Sequence, residues 1–557
     1  MTATSATPGP EPLFRPDGRD LDRIRAEFRW CIPPRFNMGV SVCDRHAVAT
    51  PDALALICEN ASGTVRRVTF GELKSLSDRF ANALAGLGVG RGDRVGIVLP
   101  QRLETVVAHI ATYKLGAVTL PLSNLFGSDA LAFRLADSGA RVVITDRSRL
   151  ELAQALRADI DTLEAVVCCD PEPGALRFDE LLTRASASFT AVDTAADDPA
   201  FLIYTSGTTG PPKGALGAHR CLLGNLTGFE LSQDFFPRDG DLMWTPADWA
   251  WTGGLLDALL PALHYRVPVL GHDGGRFDPE RALALIGRHR VRNGFIPPTA
   301  LKLLRQVEAP RERHGLALRS IMSAGEQLGA EVLRWCDEAL GVRVNEMWGQ
   351  TEANYLAGSS STVLETRPGS MGKPYPGHHV DVIDEDGQPM PAGQVGELAA
   401  RRGDPVMFLG YWRNEAATAE KVRGDWWLTG DLGYRDDDGY LWFMGRKDDV
   451  ISSAGHRIGP GEVEDALLKH PAVAQAAAVG SPDPLRGEIV KAFVVLARGH
   501  APSDALVAAI QADVKARLAA HEYPREIEFV ESLPMTTTGK VRRIELRQLE
   551  IARKRGG

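Results

Sequence analysis

The 557-residue chain reads as an α/β protein closed by a smaller α+β domain, on three observations. From about residue 66, short apolar runs alternate with amphipathic helical stretches. Past residue 370, glycine, proline and Asp-Gly turns become frequent. A polar break, Arg446-Lys-Asp-Asp449, then precedes a stretch with strands and helices of its own. A chain of this length exceeds one hydrophobic core, so about two to four domains are expected.

In order, residues 1–35 form a polar N-terminal extension, with helical character from about 16. Val68-Thr-Phe70 precedes a helix over 71–87, Arg94–Leu99 a helix over 102–115, and Arg141–Thr145 a helix over 148–158. Strands alternating with helices of this length imply βαβ units and a largely parallel sheet. The apolar run Ala200–Tyr204 is a strand that runs into Thr205-Ser-Gly-Thr-Thr-Gly-Pro-Pro-Lys213-Gly214, and a helical pattern resumes near His219. Strands near 267–270, 291–296 and 319–323 make a second α/β half, and ligands of α/β proteins bind where strand ends face a crevice. Short strands at His379–Ile383 and Gly396–Ala399 mark a β-rich subdomain over about 370–445, within a domain spanning 36–447. Residues 448–557 follow as the C-terminal domain, with helices near 460–469, 502–520 and 540–554 and strands near 473–479 and 490–496.

The bulk numbers exclude several classes. A net charge of −9 argues against a general nucleic-acid binder. The seven cysteines are an odd set without a CxxC pair, which points to a reducing compartment and away from structural zinc. No signal peptide and no window of about eighteen uncharged apolar residues is present, so a cytoplasmic protein without integral membrane association is expected. The basic run Arg542–Arg555 reads as a solvated helix face.

The chemistry starts at the 205–214 loop. Its hydroxyls and backbone N–H groups can surround phosphate oxygens, with glycines permitting close approach. The spacing is not that of a Walker loop. Trp348-Gly-Gln-Thr351-Glu352 adds a hydroxyl and a carboxylate; a carboxylate near phosphates usually means Mg²⁺ between them. Thr429-Gly-Asp431 offers an acceptor for paired ribose hydroxyls, though an Asx turn residue is an equal reading. Gly445-Arg446-x-Asp448 joins a guanidinium to a polar pivot, and Thr538-Gly-Lys540 sets a lysine on a glycine-flanked turn.

Together, in this order, these motifs resemble the AMP-forming acyl-CoA synthetases of the adenylate-forming enzymes, over about residues 36–545. The resemblance implies a large N-terminal domain of two α/β sheet subdomains and a β-rich subdomain, with a small, mobile C-terminal domain. It also implies two half-reactions. A small-molecule carboxylate attacks the α-phosphate of ATP, releasing pyrophosphate and leaving acyl-AMP; coenzyme A then takes the acyl group and AMP departs. Such chemistry is mainly positioning and electrostatics.

By that resemblance Thr205, Ser206, Gly207, Thr208, Thr209, Gly210 and Lys213 hold the β- and γ-phosphates. Thr351 holds the α-phosphate, Glu352 the Mg²⁺ and Asp431 the ribose. Gly325, Glu326 and Gln327, with Glu346, Met347, Trp348, Gly349 and Gln350, build the adenine pocket. Arg446 and Arg457 belong to the nucleotide site. Lys540 bridges carboxylate and α-phosphate as the adenylation lysine, with Thr351 and Glu352 as its catalytic companions. Asp448 is the hinge, and Ser453, Ala454 and Gly455 line the coenzyme A path. The acyl pocket falls on Trp251, Thr252, Gly253 and Gly349. Acetyl-CoA synthetases carry tryptophan where Gly349 stands, so longer acids are expected, branched or aromatic ones included. No charge near Trp251 stands out as a partner for an α-amino group. Three other readings stay open: a stand-alone enzyme loading a carrier protein, a luciferase-like oxygenase, and a non-catalytic nucleotide-binding regulator. A homodimer is compatible with the sequence.

Overall fold

The computed structural model describes residues 10–205, 211–453, 456–484, 486–518, 522–536 and 540–556. The chain forms two compact units. One runs to His379 and includes Arg401–Lys421; the other comprises Val380–Ala400 and Val422 onward.

Among its described residues the first unit carries two large sheets. In the eight-stranded sheet, Leu176–Arg177, Ala165–Cys168, Ala140–Thr145, Arg94–Val98, Val118–Pro121 and Pro199–Thr205 lie parallel in that order. Helices cover such sheets, so the central strands are apolar on both faces. Val95, Ile97, Val142, Val143 and Ile144 are all buried. Each such side chain stabilises the fold by about 1.5–3 kcal/mol. Lys213–Ala218 and Gly410–Tyr411 complete this sheet as antiparallel strands. The helix expected near His219 begins at Cys221, because the chain first doubles back to pair Lys213–Ala218 with Pro199–Thr205.

The nine-stranded sheet runs, in spatial order, from Lys373–Pro374 through Ala353–Gly358, Val344–Gln350, Ser320–Ala324, Asn293–Phe295, Met243–Trp244 and Val269–Asp273 to Leu54–Asn60 and Val65–Thr69. The last two precede the first sheet in sequence yet edge the second, an arrangement that local pattern does not reveal. Thr69 then caps the helix Phe70–Gly86, accepting from Glu72 N at 3.2 Å, a Thr-x-x-Glu start.

The N-terminal extension is part of this unit. Phe14, Leu21 and Ile24 are buried, and Glu230 accepts from the N–H groups of Leu13 and Phe14 at 2.8 and 3.0 Å. The same unit holds a buried ion network. Lys114 Nζ, fully enclosed, donates to Ser77 Oγ at 2.9 Å and Asp78 Oδ1 at 2.7 Å, and forms an ion pair with Asp44 Oδ1 at 2.5 Å. These bonds compensate an ammonium that burial would otherwise penalise heavily.

Among its described residues the second unit carries two five-stranded sheets. One contains Val380–Ile383, Gly396–Arg401, Trp426–Arg435, Val422–Arg423 and Leu441–Arg446. The other contains His456–Ile458, Ile451–Ser453, Gly487–Leu496, Val473–Asp483 and Glu526–Phe529, packed by helices Pro460–Leu467, Asp504–Arg517 and Arg543–Gly556. The basic final helix is a paired face: Arg543 meets Glu464, Arg547 meets Glu488, Arg553 meets Glu528 and Lys554 meets Glu526. Among the described residues, no helix is long and apolar enough to cross a membrane.

Four buried histidines of the first unit are held neutral by their surroundings. Burial pushes His46 down to about 4, His109 to about 3 and His219 to about 4, and holds His264 well below its ordinary range. Their neutral forms are in use, as where His219 Nδ1 accepts from Met38 N at 3.2 Å. A depressed folded-state value stabilises above the unfolded value and is lost as pH falls toward the folded one. Each therefore removes up to about 1.4 kcal/mol of stability per pH unit below roughly 6.5. Melting temperature should fall steeply between pH 6.5 and 4, and His109→Phe should reduce that slope. Equal slopes in a pH-resolved melting series would contradict this.

Candidate active site

Strand pairing places the two arms flanking the expected phosphate loop. Thr205 ends one strand and Lys213 begins the next, in direct register, with Thr205 Oγ1 donating to the Lys213 carbonyl at 3.4 Å. Ser206, Gly207, Thr208, Thr209 and Gly210 lie outside the described residues. On the far side of Lys213–Ala218 comes the short strand Gly410–Tyr411, and Trp412 N donates to the Gly214 carbonyl at 2.7 Å. Tyr411 makes two contacts that matter. The Lys213 ammonium lies 5.4 Å from its ring centroid, within cation–π reach. Its hydroxyl donates to Glu352 Oε1 at 2.7 Å. Sequence reasoning missed Tyr411, whose one signal is an aromatic pair after Gly410.

Glu352 sits on the turn between strands Val344–Gln350 and Ala353–Gly358, 9% exposed. Phe408 N donates to its carbonyl at 2.8 Å. Beside it Thr351 Oγ1 accepts from Thr252 Oγ1 at 3.4 Å. Thr205, Lys213, Thr252, Thr351 and Glu352 thus belong to one connected group of side chains and strands in the first unit, with Tyr411 as its tie.

Gly349 has a backbone reason to be glycine. A Cβ there would lie 2.7 Å from Tyr355 N and 3.1 Å from the Asn354 carbonyl carbon, so any side chain forces the paired strand to shift. Replacement by tryptophan would report on that clash as well as on pocket size. Of the residues expected around adenine, Gly325 has φ +100°, a conformation natural to glycine. Gln327 Nε2 donates to the Gly369 carbonyl at 3.2 Å, and Glu346 Oε1 accepts from Leu328 N at 2.9 Å. The turn holding Gly325, Glu326 and Gln327 is thereby tied to the strand of Glu346. Met347 and Trp348 on that strand are buried, and Gln350 ends it.

On the acyl side, Trp251 stands edge-on to Phe126 at 5.6 Å, and a Cβ at Gly253 would meet the Phe295 ring at 2.4 Å. The neighbouring Asp248 carboxyl is turned inward, pushed up by burial, and accepts from Ala250 N at 3.0 Å.

In the second unit, Asp431 and Arg446 face each other across paired strands, and Arg446 Nη1 donates to Asp431 Oδ1 at 2.8 Å and to the Thr429 carbonyl at 3.3 Å. Two motifs read separately are thus one buried-edge ion pair. Asp448 lies exposed in a turn, its carbonyl accepting from Arg547. Ser453 is buried on a strand edge; Ala454 and Gly455 lie outside the described residues. Arg457 is placed by its backbone, in strand His456–Ile458. Lys540 is exposed, and its N–H donates to Thr536 Oγ1 at 2.9 Å.

Comparison with known proteins shows the family. The AMP-binding enzyme family matches residues 43–412, and the AMP-binding enzyme C-terminal domain matches residues 462–540. The chain is 36% identical to the acetyl-coenzyme A synthetase of Bacillus subtilis (strain 168), covering 93% of this chain and 91% of that protein. It is 35% identical to the mitochondrial acyl-coenzyme A synthetase ACSM3 of Rattus norvegicus, covering 95% and 93%. It superposes on the anthranilate CoA ligase AuaEII in complex with anthranoyl-AMP with a TM-score of 0.85 at 30% identity, over 94% of this chain and 99% of that one. Family, relatives and fold agree: the chain belongs to the AMP-binding enzyme family and is an AMP-forming acyl-CoA synthetase, an ATP-dependent acid–thiol ligase.

Proposed function

We propose that the protein activates an apolar carboxylic acid of short-to-medium length, branched or aromatic acids included, and passes the acyl group to coenzyme A. The observation that supports this best is the tie through Tyr411, which joins Lys213 of the phosphate hairpin to Glu352 of the Gln-Thr-Glu turn. In this reading the loop from Thr205 to Lys213 takes the β- and γ-phosphates, Thr351 the α-phosphate and Asp431 the ribose. Arg446 steadies Asp431 in that role. Lys540 meets the acid and the α-phosphate during adenylation, and the polar turn at Asp448 is the pivot between half-reactions. Negative charge grows on the α-phosphoryl oxygens as the acid attacks, so these groups act by holding and by electrostatic complement; losing one such donor costs about 10²–10³ in rate.

Glu352 also suits Mg²⁺. Among the described residues no cluster of three acidic, histidine or cysteine side chains could cage a metal, whereas a nearly buried carboxylate beside a phosphate site is how a nucleotide's Mg²⁺ is usually anchored. When bound, Mg²⁺ would supply charge neutralisation for the polyphosphate. Tyr411 holds the carboxylate for that purpose through one oxygen.

The breadth of the relatives' acids, acetyl among the names and anthranilate among the ligases, supports the acyl-CoA reaction and leaves the acid to the pocket. The deciding experiment is pyrophosphate release from ATP across a panel of acids, followed by coenzyme A-dependent release of AMP. Release with apolar acids and transfer to free coenzyme A are expected. Release without transfer would mean a carrier-protein acceptor, and no release with any acid would overturn the reading. Lys540→Ala should reduce acyl-AMP formation by at least about 10²-fold while largely sparing transfer from supplied acyl-AMP. Equal loss of both half-reactions would remove Lys540 from its assigned role.

A further inference from the structure

Two links join the segment after Trp251 to the Gln-Thr-Glu turn and the strand that follows it. The first, Thr252 to Thr351, lies between motif residues. The second is made by Asp257, whose carboxylate Oδ1 accepts from Asn354 Nδ2. Asp257 is 3% exposed and Asn354 6%, and Leu255, Leu256, Ala258 and Leu259 surround Asp257 in sequence, all buried. A polar pair in apolar surroundings is costly unless satisfied, and once satisfied it rigidifies what it joins.

The backbone on both sides is irregular at this link. Asp257 is the central residue of Leu255–Leu259, wound as a π-helix, a form that interrupts regular helices frequently at functional sites. Across from it, Tyr355 has φ +49°, a left-handed conformation that a bulky residue holds only under constraint. The pairing of the two strands shifts register between Trp348 and Gln350. Asn354 and Tyr355 are also the residues that would meet a Cβ at Gly349. The Asp257–Asn354 bond therefore grips the start of a strained bulge two residues beyond Glu352.

We propose that Asp257, acting through Asn354, is a positioning residue for adenylation: it ties the acid-side segment Trp251–Gly254 to the turn bearing Thr351 and Glu352, so that the two are aimed together. This rests on the adenylation reading above. Asp257 holds geometry and reacts with nothing. Burial pushes its carboxyl up to about 8, with Tyr355 and Tyr375 the other titratable groups that feel it. The neutral acid therefore predominates at pH 7, and asparagine, which can accept the same bond, is the conservative replacement.

The test uses the full-length enzyme with ATP and an acid it accepts, reading pyrophosphate release, the Mg²⁺ concentration at half-maximal rate, KM for the acid and melting temperature. Asp257→Asn should stay within about twofold of the parent in rate. Asp257→Leu should lower kcat about tenfold or more, since small misplacements remote from the chemistry carry losses of that order, and should raise the Mg²⁺ requirement several-fold. Asn354→Ala should move the same two readouts, and the double variant should lose little beyond either single one. If Asp257→Leu does not fold, Asn354→Ala decides alone. Folded variants with unchanged kcat and Mg²⁺ requirement overturn the inference, as does Asp257→Asn falling as far as Asp257→Leu. An active parent with unmoved variants sinks this inference alone; a parent that releases no pyrophosphate with any acid sinks the adenylation reading and this inference with it.

Discussion

The hydrogen bond from Tyr411 to Glu352, at 2.7 Å, is the contact on which the proposed site in the first unit depends. Phosphate loop and Gln-Thr-Glu turn lie far apart in sequence and on different sheets, so nothing in either sheet alone aligns them. The alignment comes from residues 405–412. Tyr411 and Gly410 pair with Ala215 and Leu216, Trp412 bonds to Gly214, and Phe408 bonds to Glu352. Arg220 then grips the Pro405 and Met407 carbonyls at 2.6 and 2.7 Å. A short crossing strand thereby transfers the position of one sheet edge to the other. Preorganisation of this kind is what an enzyme relying on electrostatics requires, because groups already fixed need no reorganisation as charge develops.

Much of the fold was legible because parallel strands buried on two faces must be apolar runs. Arg94–Val98, Ala140–Thr145 and Pro199–Thr205 follow that rule; the C-terminal strands Val473–Asp483 and Gly487–Leu496 pair antiparallel and were legible from their own apolar runs. Lys213–Ala218 escaped it. Its sequence, Lys-Gly-Ala-Leu-Gly-Ala, has no β-branched or aromatic residue, and it is a strand because it has neighbours on both sides. Small residues there serve the packing: a Cβ at Gly217 would fall within 1.9 Å of the Phe201 ring. Sheet membership of Leu54–Asn60 was equally hidden, since its partners Val269 and Leu270 lie about two hundred residues away, and Val65–Thr69 joins the sheet only by pairing with that strand.

The same division separates the site residues. Thr351, Glu352 and Asp431 are readable because their residue types have chemistry and their neighbours form motifs. Tyr411 and Asp257 are not, because each acquires its role from a partner remote in sequence. A single aspartate in the run Leu255-Leu-Asp-Ala-Leu259 looks like one polar position on a helix that otherwise faces the core. Only the fold shows that it is buried and that Asn354 reaches it.

Gly349 illustrates why substrate preference resists reading from a single position. A missing indole argues for a longer acid only if the position could otherwise hold a side chain. Here the strand pairing brings Tyr355 N to 2.7 Å of the would-be Cβ, so glycine is demanded by the bulge before any acid is considered. In the proposed reading, space for the acyl chain is then judged from Trp251, held against Phe126, and Phe295, filling the space beside Gly253. These are aromatic and apolar contacts, and extra methylenes in such surroundings discriminate by only about 1–3 kcal/mol each. A pocket built this way grades acids by size and shape. Sharp selection would need a buried polar group aimed at the acid, and Asp248, the carboxylate of that segment, is turned to its own backbone at Ala250.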